Sequence, residues 1–294
     1  MMISIIITAF KEPNVDRAIK AIVEQEIPED YELIVAAPDE DTRIITEKFA
    51  KKYPQVRYFK DPGKGKSFAL NMIFKITKGR IIIITDGDVY FDKGAISEIL
   101  KPFSNPAVGV VSGRVVSMNS RDEMFGYWSH LLCDAGAHSI RQELHEQEKF
   151  IEGSAYLFAF RSGFVSEVPV DVGEDAILSY RFWKAGYKLA YAKDAIVYVK
   201  WPDNWNDWVK QKVRTAKAHE KLTYYEPDFP KVKSFFNEAT KGWYRALSYP
   251  KTPKEFAWTL ALFPARAFIW TKATTTKAMK KYYTDAWEKS ESTK

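Results

Sequence analysis

The chain has 294 residues, 46% of them hydrophobic, and carries a net charge of +6 with a pI near 9.0. This hydrophobic content excludes an intrinsically disordered chain, and the length allows one large domain or a domain with an extension. The single cysteine, Cys133, excludes an internal disulfide and is typical of a reducing compartment. No signal peptide precedes the first apolar run, and no run reaches the roughly 18 residues of a membrane span. We therefore expect a cytoplasmic protein, or one held peripherally on the cytoplasmic face of the membrane.

The first half of the sequence alternates strand patterns with helix patterns. The predicted strands are residues 2–9, 31–37, 56–59 and 80–85, and the predicted helices are residues 14–25, 42–53, 67–77 and 93–103. This alternation predicts an α/β fold with a mainly parallel sheet covered by helices on both faces. Right-handed crossovers place the carboxyl ends of the strands at one edge, so the loops that follow them should line one cleft.

The pattern changes after Val108. Strands are predicted at residues 108–118, 155–160, 188–192 and 195–199, with helices at residues 122–148 and 174–185. From about residue 201 the chain becomes helical and aromatic, with a long helix at residues 206–225, an apolar segment at 256–270 and a basic segment at 271–283. We expect a catalytic domain over residues 1–200, with halves at about 1–105 and 106–200, and a helical extension over residues 201–294.

Two acidic pairs are the strongest candidates for chemistry. Asp86-Gly87-Asp88 follows a run of four isoleucines, so both carboxylates emerge at the end of a buried strand. That spacing suits one hard divalent cation and the phosphates it carries, although Asp-Gly is also a common turn. Glu174 and Asp175 begin a predicted helix, where acids either stabilise the helix dipole or act as a general base.

Taken together, five segments resemble an inverting family-2 glycosyltransferase with the GT-A fold. They are its first strand and nucleotide loop at residues 5–12, its glycine- and lysine-bearing loop at 61–71, its metal-binding acids at 86–88, its catalytic Glu-Asp pair at 173–175, and the start of its Gln-x-x-Arg-Trp motif at 211–214. The resemblance covers roughly residues 2–220. Thr215 stands where many polymerising members have Trp, which argues against processive polymer synthesis.

The resemblance implies transfer of a sugar from a nucleoside diphosphate sugar to a hydroxyl of a glycan or lipid-linked saccharide, in one inverting displacement. Asp175 would be the base with Glu174 in support, and Asp88 with Asp86 would hold Mn²⁺ or Mg²⁺. Asp86 alternatively contacts the ribose. An Asp39 carboxylate that accepts from the N3–H of uracil would favour a UDP-sugar. The donor-binding candidates are Thr8, Ala9, Phe10, Glu12, Asp39, Gly63, Lys64, Lys66, Asp86, Gln211 and Arg214.

Other interpretations stay open at this stage. Gly65-Lys66-Ser67 matches the end of a P-loop, but Lys60 replaces the glycine that the full motif needs. A non-catalytic nucleotide-sugar or nucleic-acid binding module is the second alternative, and the basic patches are too sparse to favour nucleic acid. Arg214 is alternatively a solvated charge, and His219 reads as a surface histidine rather than a metal ligand. Residues 256–283 pack on the catalytic domain or lie on an anionic membrane surface.

Overall fold

The computed structural model describes residues 2–230, 242–278 and 291–293, and within them the strands form one mixed sheet. The order across the sheet is β3-β2-β1-β4-β7-β6-β8-β5. The strands are β1 (Ile3–Thr8), β2 (Tyr31–Ala37), β3 (Val56–Lys60), β4 (Ile81–Asp86), β5 (Val89–Phe91), β6 (Val108–Ser117), β7 (Phe158–Arg161) and β8 (Lys188–Val199).

Helices cover the sheet and continue beyond it. They are α1 (Val15–Val23), α2 (Glu40–Lys52), α3 (Lys66–Phe74), α4 (Ala95–Leu100), α5 (Met124–Leu131), α6 (Ser139–Glu146), α7 (Glu174–Lys184), α8 (Trp205–Lys217), α9 (Leu222–Tyr225), α10 (Trp243–Ser248) and α11 (Pro253–Ala278). A π-helix at Leu132–His138 joins α5 to α6, and 3₁₀ turns occupy Lys101–Ser104 and Glu291–Thr293.

The three inner strands of the parallel half, β1, β2 and β4, are buried on both faces, as expected for a parallel sheet. All six residues of β1 are buried, and β1 pairs in parallel with both β2 and β4. Ile5 and Ile7 pack into one core layer with α1 and α4, while Ile6 packs into the other with α3 and α7. The predicted α/β architecture with helices on both faces is confirmed for this half.

The second half departs from the predicted strands in three ways. β7 begins at Phe158, not at residue 155, and runs antiparallel to β4 and β6. The two short strands predicted at residues 188–199 are one strand, β8, because a bulge absorbs residues 193–195 opposite Gly113 and Arg114 of β6. β5 was not predicted, since its three residues pair only with the distant end of β8.

The helix predictions of the second half were too long. The helix predicted at residues 122–148 contains the π-helix at its centre. The helix predicted at residues 206–225 is divided into α8 and α9 by a turn at residues 218–221. Neither break contains proline, so the sequence gives no local signal for either.

The C-terminal helix α11 packs on the second half through one face. Trp128 Nε1 donates to the Trp258 carbonyl at 2.7 Å, and Arg121 pairs with Glu255. Its other face exposes a stripe of large apolar side chains, namely Phe256, Leu260, Phe263 and Phe268. No helix in the described ranges is both long enough and apolar enough to cross a bilayer. The predicted basic segment at 271–283 lies partly outside the described residues.

Candidate active site

The ends of β1 and β4 lie side by side at the carboxyl edge of the sheet. Thr8 is in register with Asp86, and the Gly87 N–H donates to the Thr8 carbonyl at 2.9 Å. Thr8 Oγ1 donates to Asp86 Oδ1 at 3.1 Å. A Cβ at residue 87 would lie 2.8 Å from the Ala9 Cβ, so the position between the two aspartates accepts only glycine without a backbone shift. Sheet register therefore fixes where the two carboxylates emerge.

The carboxyl groups of Glu12, Asp86 and Asp88 lie close enough at this edge of the sheet to influence one another. Burial, followed by the charges of Asp86 and Glu12, raises the pKa of Asp88 to about 7. Glu12 Oε1 accepts from the Asn14 backbone N–H at 3.1 Å, which holds its side chain beside the loop. Such a cluster resists the loss of all its protons, and a divalent cation relieves that repulsion.

Lys66 joins the two acidic motifs. Its Nζ lies 2.7 Å from Asp86 Oδ1 and 2.7 Å from Glu174 Oε1. Burial alone would lower the pKa of Lys66, but the two carboxylates raise it well above its usual value. Burial would likewise raise the pKa of Glu174, and Lys66, its own backbone N–H and Arg214 lower it instead. Lys66 is thus a charged, buried bridge, which does not resemble a P-loop lysine facing a phosphate cradle.

Asp175 lies at the first turn of α7 and faces the same cleft. Its Oδ2 accepts from the Ala155 backbone N–H at 3.1 Å. Ser179 Oγ donates to the Asp175 carbonyl at 2.6 Å and accepts from the Gly153 N–H at 3.1 Å. The loop at residues 152–155 and the start of α7 therefore hold each other in place.

Two further side chains fasten that loop. Arg141 donates from Nε to the Glu152 carbonyl at 2.9 Å and from a terminal nitrogen to the Gly153 carbonyl at 3.1 Å. His219 Nε2 lies 2.9 Å from Glu152 Oε1, and its side chain is only 15% exposed. The interpretation of His219 as a surface histidine is therefore wrong. The ring is partly buried and pairs with Glu152, which is too distant in the sequence for the contact to be predicted.

These elements enclose a cleft of about 460 Å³. The predicted site residues that line it are Thr8, Ala9, Phe10, Glu12, Lys66, Asp86, Asp88, Glu174, Asp175, Gln211 and Arg214. Gly153 and Ser154 also line it.

Three predicted donor-binding residues do not line the cleft. Asp39 caps the N-terminus of α2 by accepting from Thr42, and its Oδ2 accepts from the Lys11 backbone N–H at 2.7 Å. Gly63 has a φ of +74°, which few other residues adopt, and lies near Pro38. Lys64 lies over the ring of Phe68 at 5.2 Å.

The cleft also contains residues that sequence reasoning missed. Arg141, Tyr156, Trp201 and Lys210 line it. None belongs to a recognisable motif, and only the tertiary fold places them there. Cys133 is buried, and burial raises the pKa of its thiol to about 12.

The acids at the sheet edge fit a metal carried by a ligand. No group of three or more His, Cys, Asp or Glu side chains in the described part of the chain has the arrangement of a closed metal site. Mg²⁺ and similar ions are often held by one or two carboxylates together with substrate phosphates. Asp88 and Asp86 supply that number of carboxylates, and the raised pKa of Asp88 marks where positive charge is lacking.

Comparison with known proteins identifies the family. The model of Glycosyl transferase family 2 matches residues 4–163, which is more than half of the chain. The chain is 26% identical over 231 residues to "Probable glycosyltransferase YdaM" of Bacillus subtilis (strain 168), covering 74% of this chain and 55% of that protein. It is 23% identical over 249 residues to an N-acetylglucosaminyltransferase of Rhizobium meliloti (strain 1021), covering 76% and 56%. The chain thus spans about half the length of these curated relatives.

A solved structure supports the fold. The mannosyltransferase PcManGT from Pyrobaculum calidifontis, in complex with GDP-Man and Mn²⁺, aligns with a TM-score of 0.58 and 19% identity over 95% of this chain and 80% of that chain. At that identity the likeness shows the fold alone, and it confirms the expected GT-A type. The family match confirms the resemblance: the chain belongs to glycosyl transferase family 2.

Proposed function

We propose that this family 2 glycosyltransferase moves a sugar from a nucleoside diphosphate sugar to a hydroxyl acceptor in a single inverting displacement. The observation that carries the proposal is the buried Lys66 bridge, which joins the Asp86 motif to Glu174. It brings the acids suited to a diphosphate and the acids suited to proton removal into one cleft.

Asp175 is the proposed general base. The Ala155 N–H bonds to its carboxylate, and the loop at residues 152–155 that contains Ala155 is itself held by side chains. The carboxylate therefore meets the requirement that a base be held in one position. It would accept the proton of the acceptor hydroxyl as that oxygen attacks the anomeric carbon, a role worth about 10²- to 10⁴-fold in rate. Glu174 supports it indirectly by holding Lys66.

Asp88 and Asp86 are the proposed holders of Mn²⁺ or Mg²⁺. When bound, the cation supplies charge neutralisation at the leaving diphosphate. Asp88 is the main candidate because Asp86 already accepts from Lys66 and Thr8. Arg214 lines the same cleft and carries a guanidinium suited to pairing with phosphate.

The nucleoside is proposed to bind beside Thr8, Ala9, Phe10 and Glu12. Asp39 accepts hydrogen bonds from Lys11 and Thr42 and does not line the cleft, so it stays a candidate for the N3–H of uracil only if its carboxylate exchanges one of these partners. Gly63 and Lys64 follow β3 at the same edge and remain candidates for the donor side.

The acceptor is proposed to be a glycan or a lipid-linked saccharide. The exposed stripe on α11, with Lys254 and Lys272 near its two ends, supports contact with an anionic membrane surface. The division into residues 1–200 and 201–294 is kept as a proposal, with α8 of the extension completing the cleft. Sedimentation with vesicles of anionic lipid tests the contact, and Leu260→Glu should reduce it.

Calorimetric titration of UDP and GDP, each with and without Mn²⁺, tests the proposed function first. We expect metal-dependent binding of UDP, weakened by Asp88→Ala. The relatives' names make UDP-N-acetylglucosamine the first sugar donor to try, and the structural neighbour's title makes GDP-mannose the matched alternative. Absence of binding by both nucleotides, with the metal present, would refute the proposal.

A further inference from the structure

Trp201 is held rigidly at the acceptor side of the cleft. It follows the end of β8, and Asn119 fixes its main chain from both sides. Asn119 Oδ1 accepts from the Trp201 N–H at 2.7 Å, and Asn119 Nδ2 donates to the Trp201 carbonyl at 2.8 Å. The indole packs edge to face on Tyr156 at 5.7 Å, and Lys212 Nζ lies 4.6 Å from the ring centre. The ring therefore has little freedom to turn.

Two buried polar atoms of this wall lack hydrogen-bond partners among the described residues. They are the indole Nε1 of Trp201 and the amide Oε1 of Gln211 on α8. Both residues line the cleft. Leaving such an atom unpaired costs about 1–3 kcal/mol, and buried polar groups are nearly always paired. A bound ligand that pairs with both atoms would account for them.

The chemistry of the two atoms defines the ligand. An indole N–H only donates, and an amide oxygen only accepts. A hydroxyl group can accept from the first and donate to the second, and so can two neighbouring hydroxyls of a sugar ring. A phosphate or carboxylate accepts from the indole N–H but has no proton to donate to the Gln211 oxygen in its present orientation.

The position of the pair places that hydroxyl near the reacting centre. Gln211 lies one helical turn before Arg214, whose charge helps to lower the pKa of Glu174. Burial, followed by the charges of Asp88 and Asp86, raises the pKa of Tyr156, which contacts the Trp201 ring. Tyr156 follows Ala155, the donor to Asp175. The pair therefore lies in the same cleft as both acidic motifs, beside residues that contact them or act on their charge.

We infer that Trp201 and Gln211 form an acceptor subsite that binds a saccharide hydroxyl beside the one that reacts. This inference rests on the proposed function and deepens it, because it assigns Gln211 to the acceptor and adds a residue outside the recognised motifs. The subsite selects for a sugar-bearing acceptor over a bare alcohol or a phosphate.

The test uses methyl α- and β-glycosides of glucose, galactose, mannose and N-acetylglucosamine, added to the protein without nucleotide. Saturation-transfer NMR should detect at least one of them on the wild type. Trp201→Phe keeps a ring but removes the N–H, and Gln211→Leu removes the amide. Each should weaken that glycoside's affinity about 10-fold, because one hydrogen bond is lost and its partner is left unpaired. Trp183→Phe, on the partly exposed side of α7, is the matched control and should change nothing.

A second measurement follows binding in the wild-type protein and uses a variant only to assign one resonance. The indole N–H resonance of Trp201, identified by its absence from the Trp201→Phe spectrum, should shift when the glycoside is added. No glycoside binding, or equal affinity in wild type and Trp201→Phe, would overturn the subsite. Binding of UDP with Mn²⁺ in that case would leave the proposed function standing. If glycoside binding depends on Trp201 but the protein binds neither nucleotide, the proposed subsite is supported and the proposed function is refuted.

Discussion

The two walls of the cleft are built on different principles. One wall, which we propose binds the donor and call the donor wall, consists of the carboxyl ends of β1 and β4, where sheet register sets Thr8 opposite Asp86. The other, which we propose binds the acceptor and call the acceptor wall, consists of loops and helix ends that side chains hold together. Arg141, Ser179 and His219 bond to residues 152–155 there. Backbone pairing thus positions one set of acids, and long-range side-chain bonds position the other.

Lys66 connects the two walls directly. It lies on α3, behind the donor wall, and reaches both Asp86 and Glu174. The comparison teaches that the donor wall should tolerate loss of single side chains in its scaffold, whereas the acceptor wall should lose precision when one fastening residue is removed. Each prediction below tests that contrast.

The largest expected effect is on the acceptor wall itself. Asp175→Asn should reduce sugar transfer about 10³-fold, because the amide cannot take the acceptor's proton. The dissociation constant for the nucleotide, measured by calorimetry, should stay within about twofold of the wild-type value, which corresponds to less than about 0.5 kcal/mol of binding free energy. Asp194→Asn, at an exposed position of β8, is the control. Full activity of Asp175→Asn would show that Asp175 is not the general base.

The next effect breaks the link between the walls. Lys66→Met should destabilise the protein by about 3 kcal/mol, since removal of one partner leaves buried carboxylates unpaired. We take the low end of the expected range because the Asp86 side chain is 26% exposed. Chemical denaturation measures the change, with Lys75→Met at the exposed end of the same helix as control. A variant as stable as wild type would show that the bridge is not structural.

Arg141→Met tests whether the loop fastening positions the base. The variant should lower kcat about 10- to 100-fold at unchanged donor affinity, because small misplacement of a catalytic group is costly. Arg161→Met is the matched control, since Arg161 also bonds backbone carbonyls, at Val108 and Phe103, but outside the cleft. An equal loss of kcat in both variants would indicate general destabilisation and not positioning.

Asp88→Asn should stabilise the metal-free protein at neutral pH by up to about 4 kcal/mol, because each unit of raised pKa corresponds to about 1.4 kcal/mol. The folded pKa of Asp88 is about 7 and its ordinary value is 3.8. Between those values the folded state binds more protons than the unfolded state, so this contribution to stability falls as pH rises from about 4 to 7. In thermal unfolding with EDTA, the variant should have the higher unfolding midpoint at pH 8, and the midpoints of the two proteins should be equal near pH 4. If the wild type were more stable than the variant at pH 8, the neighbouring carboxylates would not be destabilising the charged form of Asp88, and the prediction would be wrong.

The smallest effect concerns the exposed surface of the donor half. Arg43 pairs with Glu40 and Glu47 on α2, but these side chains are 38–63% exposed and water screens such pairs. Arg43→Ala should leave the thermal unfolding midpoint unchanged within measurement error. A clear loss would show that the donor half also depends on individual side-chain bonds, which would weaken the contrast between the walls.

Most of the donor wall could be predicted from the sequence. Buried β-branched runs alternate with helices, and right-handed crossovers bring the strand ends to one edge, so Asp86 and Asp88 were expected in the cleft. The family resemblance added Glu174 and Asp175, which also line it. Asp39 shows the limit of this reasoning, because its carboxylate caps α2 and does not line the cleft.

The sequence by itself therefore determined the alternating sheet and the order of its acidic motifs, because hydrophobic periodicity and strand register act over short distances. The tertiary structure alone decided that Lys66 bridges Asp86 and Glu174, which are 88 residues apart in the chain, and that Arg141, His219 and Trp201 share a wall with Asp175. Those contacts join side chains from separate elements. Their geometry exists only once both core layers have packed, which no local pattern records.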